Sequence, residues 1–490
     1  MKDLQEFRGE WFSPKQEGVK LPGILTINRK ENDFKLTLFS EKDIAGEIIL
    51  ERDCNIINYC KIILGRTSKG DVTLYNHSGD EGGAPMLEHA ITKNLYEIVY
   101  RPNFVFIGKH FHKPEHITFN SYSFRYNFLD SWIDTTQSFY DTKHTSQSNT
   151  IITIPSIPET KIQIGENCSA SITRDLYSKG GFLSRNYDLE IKHYVNFNFD
   201  KPTPLQEYLN LSGKLSAFLT FAVGYPISTI DEFASTDNTD KWHEGRPLEV
   251  HHTYLNHDVD NRRLFVHGMF FCSQNTRREY LVNYLSEWFN IYDIYHDAID
   301  LFLDAISTSW EKGSSTVTKV QFTNGILNIC QAIETFYQAD NGIDYTKTKK
   351  ELNTLKQKGF DKILKCKEEI KFTDEELEYY KNHFKVPRYK SEVDYKHQIS
   401  YYLNALKDAL NGFIDEDEFE DFAKTLKDCR NALTHVNEYR DVDENFDLPY
   451  LFFHSQILFY SIVTNSIGME HGKINNVMKT SDKFRRYHKN

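Results

Sequence analysis

Hydrophobic and polar positions follow two rhythms along this 490-residue chain, and the change falls near residue 275. Before it, short runs rich in β-branched and aromatic residues recur: GILTI (23–27), FKLTLF (34–39), CKIILG (60–65), DVTLY (71–75), LYEIVY (95–100) and FVFIG (104–108). Runs of this length and composition predict strands. The segments NRKEND, SKGD and GDEGGAP between them carry the Gly, Asn and Asp content of hairpin turns and loops. After the polar stretch DTKHTSQSN comes a second set, TIITI (150–154), KIQIG (161–165), SASIT (169–173) and LEIKHYVNFNF (189–199). This set is followed by one predicted helix over 204–224. PLEVHHTYL and RLFVHGMFF extend the strand pattern to about residue 271.

From there the spacing turns helical. Apolar positions three and four apart run through 278–306, 320–338, 347–370, DEELEYYKNHF, HQISYYLNALKDAL, EDEFEDFAKTLKDCRNALTHVNEY and 448–469. The pattern predicts an α+β multidomain protein: a β-rich domain over 1–150, a second β-rich region with one helix over 151–272, and an all-α bundle over 273–490. The strand count and turn spacing favour sandwich-like packing in the β part. No repeat of 20–50 residues is visible.

Composition narrows the classes. With 39% hydrophobic and 26% charged residues the chain reads as folded and soluble. The net charge is −12, of which −9 falls on residues 1–300, so a uniformly basic nucleic-acid coat is excluded. Seven cysteines without a CxxC pair fit a reducing cytosol better than a disulfide framework or a four-thiolate zinc site. The opening MKDLQEFRGEW has no secretory pattern. The apolar run 448–463 is broken by His454, Ser455 and Gln456 and falls short of the roughly 20 residues a membrane span needs. A cytoplasmic protein without a membrane association is the expectation.

One segment could carry chemistry. In CRNALTH, Arg430 and His435 lie five positions apart. The spacing alone is weak, since it recurs at Arg246/His251 and Arg262/His267 in apparent strands. Helical phase adds context: Phe422, Leu426, Cys429 and Leu433 form one stripe, with Arg430 at its edge. A guanidinium there needs an anionic partner. Glu334, about 80° from Ile326 at the edge of another helix's apolar stripe, is the candidate for an interhelical ion pair. Asn431, His435 and Tyr439 share a separate polar face, about 140° from Arg430, so an ending or bent helix, or a second subunit, is needed to bring the motif ends together.

Other features weigh less. Lys347, Lys349, Lys350 and Lys356 could track an RNA backbone or simply line a solvated helix face. His110, His112 and His116, and His251, His252 and His257 with Asp258 and Asp260, lack supporting ligands, so no metal or other cofactor is expected. GDEGGAP lacks the spacing of a phosphate loop.

The RNALTH hexapeptide at the end of an amphipathic helix resembles the arginine–polar–x–x–x–histidine signature of HEPN ribonucleases. The segments FRGEWFSPKQEGVKLPGILTI (7–27) and HITFNSYSFRYNFLDSWI (116–133) resemble the N-terminal domain of ApeA-type antiphage defence proteins. The resemblance spans nearly the whole chain. It implies a β-rich sensor region before a HEPN bundle, metal-independent cleavage of RNA (tRNA among the candidates), a phage-derived trigger and a homodimer formed through the HEPN domain. Arg430 and His435 match the family's catalytic pair and Asn431 its polar position, with Glu334 and Tyr439 supporting. Many toxin-type HEPN proteins carry a Tyr two residues after the His. Asn437 stands there in this chain, which argues against nucleotide modification on that side chain. The rival reading is a non-catalytic dimeric interaction or sensor protein in which Arg430–Glu334 is a structural pair.

Overall fold

In this computed structural model the described residues are 4–40, 50–53, 56–59, 61–76, 88–92, 95–133, 141–144, 150–153, 160–165, 167–179, 188–236, 247–253, 269–271, 278–308, 319–342, 394–434 and 446–489, with scattered positions between 354 and 376. They fall into two compact units, Met1–Asn290 and Ile291–Asn490.

The first unit is built on strands β1 (Leu4–Phe12), β2 (Leu21–Asn28), β3 (Asp33–Ser40), β4 (Leu50–Asp53), β5 (Ile56–Tyr59), β6 (Ile62–Thr67), β7 (Gly70–Tyr75), β8 (Glu88–Thr92), β9 (Leu95–Tyr100) and β10 (Phe104–Ile107). It continues through β11 (Thr118–Tyr126), β12 (Asp141–His144), β13 (Thr150–Thr153), β14 (Thr160–Ile164), β15 (Cys168–Lys179), β16 (Asp188–Pro204), β17 (Thr229–Ser235) and β18 (Leu248–His252). Fourteen of these form one antiparallel sheet in the order β14-β15-β16-β11-β17-β18-β10-β7-β6-β1-β2-β3-β9-β8; β4–β5 and β12–β13 pair separately.

The sandwich-like packing expected from the sequence takes the form of this one sheet curled onto itself. Although β3 and β18 lie far apart in the strand order, Phe34 meets the His251 ring edge-on at 6.3 Å, and Asn32 Nδ2 donates to the Thr253 carbonyl at 2.8 Å. Inside the curl, Phe7, Trp11, Leu25, Ile27, Leu36, Leu38, Ile63, Leu74, Ile98 and Val105 form one apolar core. β2 and β3 alternate buried and less buried positions, as the pattern FKLTLF requires.

Helices α1 (Leu129–Ile133) and α2 (Leu205–Val223) belong to this unit, α2 matching the helix predicted over 204–224. Tyr208 of α2 packs 4.7 Å from Tyr122 of β11, and Tyr126 donates to the Ser212 carbonyl at 3.1 Å. The strand expected to run to about residue 271 does not reach that far. Residues 254–268 lie outside the described set, and 269–271 are irregular because the Phe270 and Phe271 amides cap the Ala222 carbonyl near the end of α2. Trp132 Nε1 donates to the Phe271 carbonyl at 2.9 Å and closes this corner.

Helix α3 (Arg278–Thr308) contains the division between the units. The second unit continues with α4 (Lys319–Asp340), α5 (Tyr395–Ala405), α6 (Lys407–Leu410), α7 (Phe419–Thr434), α8 (Leu448–Ser466) and α9 (His471–Thr480). The apolar run 448–463 is the buried helix α8, not a membrane span. Its hydroxyls turn back onto its own carbonyls, Ser455 to Phe452 at 2.9 Å and Ser461 to Ile457 at 2.8 Å, so they need no water. Gly325 of α4 lies so close to the Phe452 ring that a Cβ would stand 2.3 Å from it. Among the described residues no helix is long and apolar enough to cross a membrane.

Candidate active site

Helix α7 carries Arg430 and Asn431 of the motif. A 3-10 turn over Glu416–Glu418 leads into it, with a capping box between Asp415 and Glu418. Its buried face is Phe419, Phe422, Ala423, Leu426, Cys429 and Leu433, the stripe expected from helical phase. Arg430 stands beside that stripe, with 35% of its side chain exposed. The anticipated partner is in place: Arg430 Nη2 donates to Glu334 Oε2 at 3.1 Å, and Glu334 is 26% exposed.

A third group completes the setting. The Arg430 guanidinium lies over the ring of Tyr395, 5.5 Å from its centroid, at the start of α5. Tyr395 is buried, and burial holds its phenol well above the usual range, with the Cys330 thiol beside it. Burial likewise pushes Cys330 and Cys429 up to about 12. These neighbours are neutral at physiological pH, so Glu334 balances the arginine, whose side chain stays about one-third exposed.

The ordering of α5 against α7 is itself ionic. Asp394 receives Lys427 at 3.0 Å, and Lys396 pairs with Glu420. The residues on either side of Tyr395 are therefore each tied to α7. Tyr395 was not singled out from the sequence. The spacing of Tyr395, Ile399, Tyr402 and Leu406 marks a buried stripe, but its pairing with Arg430 is a tertiary contact.

Asn431 is half-buried, and its carbonyl, like that of Arg430, accepts from Thr434 Oγ1. His435 and Tyr439 lie outside the described residues, as do Lys347, Lys349, Lys350 and Lys356. Lys358 and Lys362 are described and exposed. Four of the histidines weighed as ligands have protein partners. His110 Nε2 lies 2.9 Å from the Gly65 carbonyl, His112 Nε2 3.4 Å from Glu17, His251 Nε2 3.0 Å from Glu249, and His252 Nε2 3.0 Å from Glu232. His257, Asp258 and Asp260 are outside the described set.

The family model for the ApeA N-terminal domain 1 matches residues 6–288, more than half of the chain. The chain belongs to the ApeA family. A second family model, Apea-like HEPN, matches residues 327–473, a span that holds Glu334, Tyr395, Arg430, Asn431, His435 and Tyr439. The two together make this an antiphage HEPN-containing protein of the ApeA type. No curated protein and no solved structure matches the chain.

Within the ApeA match lie the two segments that carried the resemblance, and each has a physical reason for its residues. Trp11 is fully buried, and its indole lies against Gly65 of the neighbouring strand, where a Cβ would stand 2.3 Å from the ring; Gly23 approaches the same indole. In the other segment, Phe128 takes a positive φ of 64° and turns β11 into α1. Asp130 is thereby placed to accept from Arg125 Nη2 at 3.1 Å and from the His193 amide at 2.8 Å.

Proposed function

We propose that this ApeA-family chain is a metal-independent endoribonuclease whose site is built on Arg430 and His435, with Asn431 as the adjoining polar position and Glu334 and Tyr439 in support. The observation that carries the reading is the arginine's setting. Its side chain is 35% exposed and bonded through one nitrogen to Glu334, which leaves further guanidinium donors to take a phosphate oxygen in this reading. A histidine five positions on supplies the titratable group.

RNA carries its own nucleophile. His435 would take the 2′-OH proton or protonate the departing O5′. The 2′-oxygen forms a bond to phosphorus as the P–O5′ bond breaks, leaving a 2′,3′-cyclic phosphate and a 5′-OH. Arg430 offsets the charge that grows on the non-bridging oxygens. In this account the active form is a homodimer joined through its HEPN region, and the N-terminal region restrains it in the cytoplasm until a phage-derived trigger arrives. tRNA is a candidate substrate, and the lysines at 347, 349, 350 and 356 are candidate backbone contacts.

A chain purified from infected cells and assayed with a chelator should cut an RNA oligonucleotide while leaving the 2′-O-methyl version of the same sequence intact. Cleavage of the methylated strand would rule out attack by the 2′-oxygen. The alternative, a non-catalytic dimer in which Arg430–Glu334 only sets helix register, draws on the same ion pair. It predicts that His435→Ala leaves defence unchanged.

A further inference from the structure

We infer that Tyr395 is a positioning residue for the proposed ribonuclease site: its ring face fixes the plane of the Arg430 guanidinium so that one edge meets Glu334 and the other points to the scissile phosphate. The inference rests on the ribonuclease reading above and adds a residue to it.

Three observations converge. The Arg430–Glu334 contact is a single Nη2–Oε2 bond at 3.1 Å, which by itself leaves the guanidinium free to swivel about that bond. A bidentate fork would have locked it. The Tyr395 ring under the guanidinium, at 5.5 Å, supplies the missing restraint, because a planar cation held over an aromatic face keeps its donors in the open plane. The ring is held chiefly by burial, with Tyr395 only 7% exposed. Its residue opens α5, and the residues before and after it are each ion-paired to α7, Asp394 with Lys427 and Lys396 with Glu420. Those pairs tie α5 to the same helix that carries Arg430. The phenol is buried on the side of Cys330, so its hydroxyl is directed into the bundle and not at substrate. What Tyr395 offers the site is its π face.

A test must separate ring electronics from ring bulk. Tyr395→Phe keeps the face and removes the hydroxyl. Replacing position 395 by mono-, di- and trifluorinated phenylalanine then drains the face of negative charge while barely altering size, so folding is preserved across the series. The full-length chains would be expressed in cells challenged with phage, and His435-dependent cyclic-phosphate RNA ends measured at matched protein level, with a thermal melt of each variant alongside.

Tyr395→Phe should cleave like the wild type. The fluorinated series should fall stepwise, by roughly three-fold or more from first to last, at unchanged melting temperature. A flat series with full cleavage would overturn the positioning role and leave the ribonuclease reading standing. Absence of His435-dependent ends in the wild type itself would overturn both. Loss of cleavage already at Tyr395→Phe, with the melt unchanged, would assign the role to the hydroxyl and also sink the proposal.

Discussion

Arg430 sits at the edge of an apolar stripe, where Glu334 balances its charge and Tyr395 covers one face. Lysine has neither the plane to lie on that ring nor the fork to hold both anions. Arg430→Lys should therefore fold normally yet lose RNA cleavage by about a hundred-fold, the scale for removing a donor aimed at transition-state charge; a melt and an RNA gel on one preparation check both halves. Asp130 provides a second test at this scale. Burial alone would raise its carboxyl, but the hydrogen bond to His193 and the charge of Arg125 outweigh that and hold it below its usual value. A carboxylate lowered in the folded state stabilises above its unfolded pKa, about 4, and loses that contribution as pH falls through the lower folded value. Because the Asp130 side chain is 37% exposed and water screens its pairing, Asp130→Asn should lower stability by about 0.5–1 kcal/mol at neutral pH. The gap to wild type should close as the pH drops below about 4, which urea unfolding at several pH values would show.

At the scale of elements, close backbone packing makes its own demands. The Trp11 indole occupies the space where a Gly65 side chain would sit. Gly65→Ala should destabilise the chain by about 1–3 kcal/mol through overpacking, read as a lower denaturation midpoint. How much of this was legible in the sequence varies by element. β2 and β3 announce themselves because one face is buried and the other is not. β11 is harder to read: its intervening Ser121 and Ser123 are buried as well, so polarity no longer marks exposure. Helix α8 is buried on every side from Leu451 to Thr464, with polar His454, Ser455, Gln456, Ser461 and Thr464 among its buried residues, so its sequence names no preferred face. The phase of α7 did place Arg430 at the stripe's edge and point to Glu334. Tyr395 escaped because its partner lies 35 positions away in the chain, and periodicity reports only local neighbours.

For the whole molecule, the rhythm changes from mainly strands to helices near residue 275, inside the ApeA N-terminal match over 6–288 and ahead of the HEPN match over 327–473. What composition and pattern could not supply was the way the strands join. The single fourteen-stranded order depends on long-range pairings such as β11 with β16 and β10 with β18. Net charge carries a functional consequence. With −9 on residues 1–300 and −3 on the remainder, the ribonuclease proposal requires local basic groups to hold RNA, and it predicts cleavage that weakens steeply as salt rises. A ribonuclease site on Arg430 and His435 requires that RNA is cut, and cut through His435. The direct measurement is an end-group analysis of RNA from cells expressing wild type or His435→Ala, with and without phage. Cyclic-phosphate and 5′-OH ends that require both phage and His435 are the predicted result. Intact RNA in both strains while defence persists would contradict it.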